Sequence, residues 1–365
     1  MSGQLRLGLV GPVPPPNGGM AMQTRQLARL LAKEGVDVTL LATNAPYRPA
    51  FIENIRGIRA LFRLLPYIWQ VWRLAGRVDV IHLMANSGWS WQLFSAPVIW
   101  LGWMRNTPVI VNYRGGEARE YLQQSSARIK PTLAKAAGVV VPSGFLSKVF
   151  GDFGIPTRII PNIIDLDTFA PVAAGPAGSS VGATGYVVVI TRNLEPIYGL
   201  DTAIHCIAQA RAAIPGITLR IAGSGPQRDE LQKLVVKLGL ENSVEFLGRL
   251  DRADIVELYQ QADVMVNPSL VDNMPNSVLE ALACGVPVIS TNVGGVPYLV
   301  EDGKTALLVG PRDATGMAEA LVRLHGDAAL QHSLSARGLE LVRQFAWPEV
   351  KAQWLAVYSE GGGAA

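Results

Sequence analysis

Short apolar strands alternate with amphipathic helices along this 365-residue chain, and that alternation limits the fold more than any other feature. Strands joined through helices, not tight hairpins, must run parallel, because a parallel partner is reached only by a long crossover. Residues 5–10 read as a buried strand, and the proline-rich stretch 11–19 reads as a stiff loop. A helix with Leu27, Leu30 and Leu31 on one face follows, then a strand at 36–41. The same pattern predicts strands at 78–83, 108–113 and 138–142. Between Ala173 and Gly185 the chain is almost all small residues and carries no charge, the composition of a linker. Beyond it the alternation restarts, with strands at 186–190, 217–221, 264–266 and 286–289 and a helix whose stripe is Leu231, Leu234, Val235 and Leu238. The expected architecture is α/β: two doubly wound parallel-sheet domains, 1–172 and 186–343, joined by a linker at 173–185 and followed by a C-terminal segment at 344–365. The length agrees, since 365 residues exceed what one core of ordinary size holds.

Composition removes several classes. With 49% hydrophobic and 17% charged residues the chain is not disordered, and a formal net charge of +3 is too small to argue for a nucleic-acid partner. Cys206 and Cys284 stand in apolar contexts without metal-ligand spacing, which fits a reducing, cytoplasmic compartment. The first residues lack the basic start and apolar run of a secretory signal. From Ile81 to Met104 there is no Asp, Glu, Lys or Arg, but His82, Asn86, Gln92 and Pro97 favour a buried strand and buried helix over a membrane span.

In open parallel sheets ligands bind beyond the carboxyl ends of the strands, so the loops after strands are where chemistry is expected. Gly223-Ser224-Gly225-Pro226 follows a strand, yet Arg228 replaces the third glycine of a dinucleotide fingerprint. Gly303-Lys304-Thr305 imitates the end of a P-loop, with Tyr298 where the first glycine is required, which excludes that site. Asp165-Leu166-Asp167 reads as a surface turn in preference to a metal site. The informative run is 267–289. There a strand ends, a loop carries Asp272, and a helix is predicted to open at Pro275, a residue suited to the first helical position. The backbone N–H groups of Asn276, Ser277 and Val278 would then form an anion site. Glu280, one turn on, has the chemistry to accept two ribose hydroxyls; the residues alone equally allow a buried structural acid.

This run resembles the nucleotide-sugar motif of retaining GT-B glycosyltransferases of family 4, in which an acid, seven intervening residues and a Glu precede a small-residue helix and a G-x-P-V strand. Asp272 and Glu280 take the two acidic places. The resemblance extends over most of the chain: Asn17-Gly18-Gly19 looks like the family's first glycine loop, 160–169 like its interdomain segment, and 223–226 and 246–250 like its nucleotide-flanking loops. It implies two Rossmann-like domains facing across a cleft, with 345–358 forming a helix that returns to the first domain.

By the same resemblance, Glu280 holds the donor ribose and Asp272 hydrogen-bonds the donor sugar. Asn276, Ser277 and Val278 meet the diphosphate, and Arg192 supplies a fixed positive charge on it. Gly18 and Gly19 let backbone approach donor phosphates and acceptor, while Gly223, Arg249 and Leu250 lie by the nucleotide. Neither a metal nor a cofactor is expected, the nucleotide-diphosphate sugar being the substrate of a hexosyltransferase-type enzyme. Two positions depart from the pattern. Tyr198-Gly199 stands where the family has Lys-Gly, six residues after the Arg. Arg114 stands before Gly115, where many relatives have His, and is expected either to act on donor phosphate or an anionic acceptor, or to be a salt-bridged loop residue. The missing Lys keeps open a non-catalytic nucleotide-sugar-binding protein, and the shared scaffold keeps open a nucleotide-sugar epimerase.

The acceptor is expected to be a carbohydrate or a lipid-linked sugar of cell-envelope polysaccharide or glycolipid assembly. Residues 55–77 hold Arg56, Arg59, Arg63, Arg73 and Arg77 without an acid, interleaved with aromatic and aliphatic residues, and six of the eight tryptophans fall between Trp69 and Trp103. Such a segment reads either as an interfacial helix making peripheral contact with the inner face of a membrane, or as a packed helix with a solvated arginine face.

Overall fold

Strand and helix alternate in the structure as they do in the sequence pattern, and the strands fall into two separate parallel sheets. The structure is a computed structural model and describes residues 4–15, 18–46, 59–172 and 185–362. Asn17, residues 55–58 and all of the expected linker except Gly185 lie outside the described residues.

The first unit comprises Met1–Ile163 and Trp347–Ala365. Its elements are β1 (Arg6–Gly11), α1 (Gly19–Lys33), β2 (Asp37–Ala42), α2 (Arg59–Ala75), β3 (Val80–Ala85), α3 (Gly88–Ser90) leading through a π-helical turn at Trp91–Ser95 into α4 (Ala96–Met104), β4 (Val109–Tyr113), α5 (Ala118–Leu133), β5 (Gly138–Val141), α6 (Gly144–Asp152) and β6 (Arg158–Ile159). The strand order is β2-β1-β3-β4-β5-β6, with Leu9 opposite Leu40 on one side and His82 on the other. The central strands are apolar on both faces because helices cover both. One face packs Leu27 and Leu31 of α1 with Val350, Trp354 and Tyr358 of the C-terminal helix, residues 347–362. The other packs Tyr67 and Val71 of α2 with Ile99 of α4 and Leu122 of α5.

The second unit comprises Ile164–Ala346. It runs β7 (Val187–Thr191), α7 (Leu200–Ala210), β8 (Thr218–Ala222), α8 (Arg228–Lys237), β9 (Val244–Gly248), α9 (Arg252–Gln260), β10 (Val264–Asn267), α10 (Asn276–Ala283), β11 (Val288–Thr291), β12 (Leu307–Val309), α11 (Ala314–Gly326) and α12 (Ala328–Val342), after which α13 (Trp347–Gly362) closes the first unit. The order β12-β11-β10-β7-β8-β9 is the doubly wound nucleotide-binding order, in which the chain reverses direction between the first and fourth strands. Here these are β7 and β10, paired through Val188 with Val264 and Val189 with Met265. Loops that leave these two strands diverge to opposite faces of the sheet and open a crevice at its carboxyl edge.

Three expectations are corrected. The chain divides after Ile163, ahead of the expected boundary at 172, because Ile164 and Phe169 join the second core and the Ile164 N–H donates to the Phe345 carbonyl at 3.0 Å. The uncharged helical stretch up to Met104 is only half buried: Val98 and Ile99 face the core, whereas Trp89, Trp100 and Trp103 are exposed. Finally, α10 starts at Asn276, with Pro275 in extended geometry (φ −68°, ψ 115°) at the cap. The proline therefore precedes the helix and accepts, through its carbonyl, the Val278 N–H at 3.2 Å.

Candidate functional site

The reversal between β7 and β10 brings together residues far apart in sequence. The apolar run of β7 ends at Thr191, so Arg192 is the first side chain past the sheet, and its own N–H is tied to the Ala222 carbonyl at 3.0 Å. Asn267, fully buried, ends β10. Its Oδ1 accepts from Arg192 Nε at 3.1 Å and Nη2 at 3.0 Å, and its Nδ2 donates to Ser290 Oγ at 3.0 Å. Arg192 Nη2 also pairs with Asp272 Oδ2, and the other Asp272 oxygen accepts the Asn273 N–H at 3.1 Å. The guanidinium lies over the Tyr198 ring, 5.0 Å from its centre. Both members of the ion pair are about one-tenth exposed, so the interaction works in a low-dielectric setting. Burial pushes the Asp272 carboxyl above the usual carboxylate range, against the pull of Arg192 and of its hydrogen bonds.

Two glycines let the loops approach this closely. Gly199 adopts φ +59°, a left-handed conformation, and a side chain there would strike the Pro268 carbonyl. Gly223 lies flat against the Arg192 carbonyl, where a Cβ would collide with the oxygen. Arg249, just past β9, reaches the same corner by donating to Ser224 Oγ at 3.2 Å, while Leu250 packs against the core.

Glu280 lies one turn into α10. Burial pushes its carboxyl up to about 7, opposed by the positive charges of Arg252 and Arg192 and by the Tyr259 hydroxyl. Tyr259, fully buried on α9, hydrogen-bonds Thr191 Oγ1 and donates to the Ser277 carbonyl at 3.1 Å, which ties β7 to the start of α10. The Ser277 hydroxyl is buried without a hydrogen-bond partner, beside the Asn276 and Ser277 backbone at the helix start. An unpaired buried hydroxyl is costly and is resolved when a polar group docks against it. Of the three N–H groups expected for an anion, that of Val278 is engaged by Pro275.

The remaining expected residues belong to the first unit. Gly18 caps α1 with extended geometry, its carbonyl accepts from Met22 at 3.0 Å, Gly19 opens the helix, and nothing lies within 4 Å of where a Gly18 Cβ would stand. Arg114 follows β4, donates through Nε to Asn112 Oδ1 at 3.3 Å and through Nη1 to Asn162 Oδ1, and burial pushes its pKa down to about 10. Asn112 donates in turn to His82 Nε2 at 3.0 Å, whose Nδ1 meets the Tyr358 hydroxyl at 2.7 Å. This assigns His82 the neutral tautomer protonated at Nδ1, in keeping with a pKa lowered to about 3 by burial. Asp165 is a turn residue: it accepts from Thr168 Oγ1 at 3.0 Å and pairs with Arg252 at 3.1 Å. Sequence reasoning missed Asn267, Tyr259, Arg252, His82 and Asn162. A signal was present for Asn267, a polar residue at the end of an apolar strand, and for His82, a polar residue inside one.

Against known proteins, residues 17–168 match the family model described as Glycosyltransferase Family 4, and residues 185–327 match that described as Glycosyl transferases group 1. Fold and these matches define a class: the chain belongs to the GT-B glycosyltransferases of family 4. It is similar to an exopolysaccharide phosphotransferase of Streptomyces coelicolor, 35% identical over 205 residues that cover 56% of this chain and 21% of that protein. It is also similar to D-inositol 3-phosphate glycosyltransferase of Actinosynnema mirum, 30% identical over 55% of this chain and 51% of that protein. The matched chain spans about half or less of the length of these relatives. Among solved structures, Anabaena HepE, crystallised in complex with UDP, shares the fold with a TM-score of 0.74 and 21% identity over 98% of this chain and 100% of that chain.

Proposed function

We propose that the chain transfers a glycosyl group from a nucleotide-diphosphate sugar to a carbohydrate or lipid-linked acceptor, with retention and without a metal, in cell-envelope polysaccharide or glycolipid assembly. The observation that carries this reading is the fixed guanidinium of Arg192 at the β7/β10 reversal, forked onto Asn267 and Asp272 and stacked on Tyr198. When the C1–O bond of the donor breaks and the acceptor hydroxyl oxygen bonds to C1, negative charge gathers on the departing diphosphate, which takes up the proton the hydroxyl gives up. A cation already held in place stabilises that charge without reorganisation. The start of α10, with Asn276 and the unpartnered Ser277 hydroxyl, offers a second anion contact. Glu280, once ionised, accepts the ribose hydroxyls. Asp272 then acts chiefly by orienting Arg192, its remaining lone pairs meeting the donor sugar.

The HepE structure holds UDP, and a uridine donor is the first to test here. Tyr198 fills the place where the resemblance leads one to expect a second cation. Its ring steadies Arg192 by cation–π contact. The test is release of radiolabelled sugar from a panel of nucleotide sugars. Transfer to an acceptor, or slow donor hydrolysis, is expected. Tight binding with neither reaction indicates the non-catalytic protein, and exchange between free donors without release indicates the epimerase.

A further inference from the structure

We propose that α2 and α4 together form a docking surface for an anionic lipid bilayer. Each helix shows the core one apolar face and solvent another. On α2, Tyr67, Val71 and Leu74 are buried, while Leu65, Trp69 and Trp72 stand on the open side, Leu65 63% and Trp69 57% exposed. On α4, which packs along α2, Val98 and Ile99 face inward while Trp100, Trp103 and Met104 face out, Met104 59% exposed. Large apolar side chains at successive turns of two adjoining helices make a continuous patch, and a patch of that kind on a soluble fold marks a contact surface.

Charge identifies what the patch contacts. Arg73 lies over the Trp69 ring at 4.5 Å, Arg105 over Trp72 at 4.6 Å, and Lys135 over Trp103 at 4.0 Å. Cations laid flat on tryptophan faces combine the two chemistries of a bilayer interface: the rings sit at headgroup level and the cations meet phosphates. Neither helix carries an acid. From residue 55 to residue 116 the one acid in the sequence is Asp79, and it is spent on Arg6 at 2.5 Å. A second copy of the chain would face these cations with its own, since an isologous contact sets a patch against itself. An anionic membrane meets both the aromatic and the cationic demand. The uncharged composition of residues 96–104 reads as a buried helix, which is why the second half of the surface escapes a reading of the sequence.

The test is co-sedimentation of the full chain with vesicles of phosphatidylcholine, with and without phosphatidylglycerol. The chain is expected to pellet with the phosphatidylglycerol vesicles, with a blue shift of tryptophan emission and weakening as salt is raised. Trp69→Ala with Trp103→Ala should lower vesicle affinity by about tenfold or more, and Arg73→Glu with Arg105→Glu should abolish the preference for anionic lipid. Because these side chains are exposed, all four substitutions should leave the melting temperature in place. Failure to pellet with anionic vesicles overturns the proposal. So does pelleting that the tryptophan variants retain, or a concentration-dependent dimer that they break while vesicles go unbound.

Discussion

Replacing Glu280 with glutamine probes the donor site through both stability and binding. The carboxyl moves from an ordinary 4.5 to about 7 because burial penalises its charge. A folded-state value above the unfolded one means the folded chain keeps this proton over a range where the unfolded chain has lost it. The resulting destabilisation is absent below about pH 4.5, grows as pH rises towards 7, and is complete above that. At about 1.4 kcal/mol per unit, the full penalty is about 3 kcal/mol. Glutamine keeps the shape and removes the charge, so Glu280→Gln should match wild type in acid and exceed it by about 3 kcal/mol near pH 8. That corresponds to roughly 6–12 °C in the melting transition of the second unit. Binding should move the other way. Wild type must ionise Glu280 to accept ribose hydroxyls, so affinity for a uridine-diphosphate sugar should fall about tenfold per pH unit below 7. The variant should lose roughly 1.5–3 kcal/mol of donor affinity along with its pH dependence. Melting curves at acid and alkaline pH, paired with titration calorimetry, read both effects. A variant no more stable than wild type at alkaline pH, or one binding donor as wild type does with the same pH profile, refutes the reasoning.

Other expectations follow from the same geometry. Activity should survive EDTA, since Asp165 is committed to Arg252 and Thr168; loss of transfer that magnesium or manganese restores would place a metal in the site. Arg114→Ala should lower turnover by more than about tenfold, and Arg114→Lys should lose most activity as well, because a point charge cannot serve Asn112 and Asn162 as the guanidinium fork does. Early melting with turnover per folded molecule preserved would make Arg114 purely structural. Tyr198→Phe should keep near-normal turnover and Tyr198→Ala should lower it by about three- to tenfold, because Tyr198 supports Arg192 through its ring; equal turnover in the two variants would refute the stacking role.

The alternation of strands and helices and nine of the twelve strands were legible because buried parallel strands are continuous apolar runs with turn residues after them; β6, β9 and β12 were not, being short or carrying polar residues. Asp272 and Glu280 stand in the loop and helix after such a strand, whereas Arg192, and the donor-binding role of Glu280, came only from the resemblance to the glycosyltransferase motifs. The contact between Arg192 and Asp272 was not legible, because they lie 80 residues apart and meet only once β7 and β10 are neighbours. Asn267 sat at the end of its strand in plain view, but nothing local says that an Arg from another strand will fork onto it. Pro275 was placed one position too deep, because its fixed φ suits the cap and the first helical turn equally, and only ψ separates them. The exposure of α4 was hidden for a different reason: a helix without polar residues shows no stripe, so its pattern cannot tell core from surface.

The account rests most heavily on Arg192 as the fixed cation for the departing diphosphate. Steady-state turnover of a radiolabelled nucleotide sugar at saturating donor, wild type against Arg192→Lys and Arg192→Ala, tests it most directly. Alanine leaves Asp272 buried without its partner, so rates are taken per folded molecule, and lysine keeps a charge without the fork. Turnover should fall by about 10²–10³ in the alanine variant and by a smaller but clear factor in the lysine variant. Near-wild-type turnover in a folded Arg192→Ala protein would contradict the account.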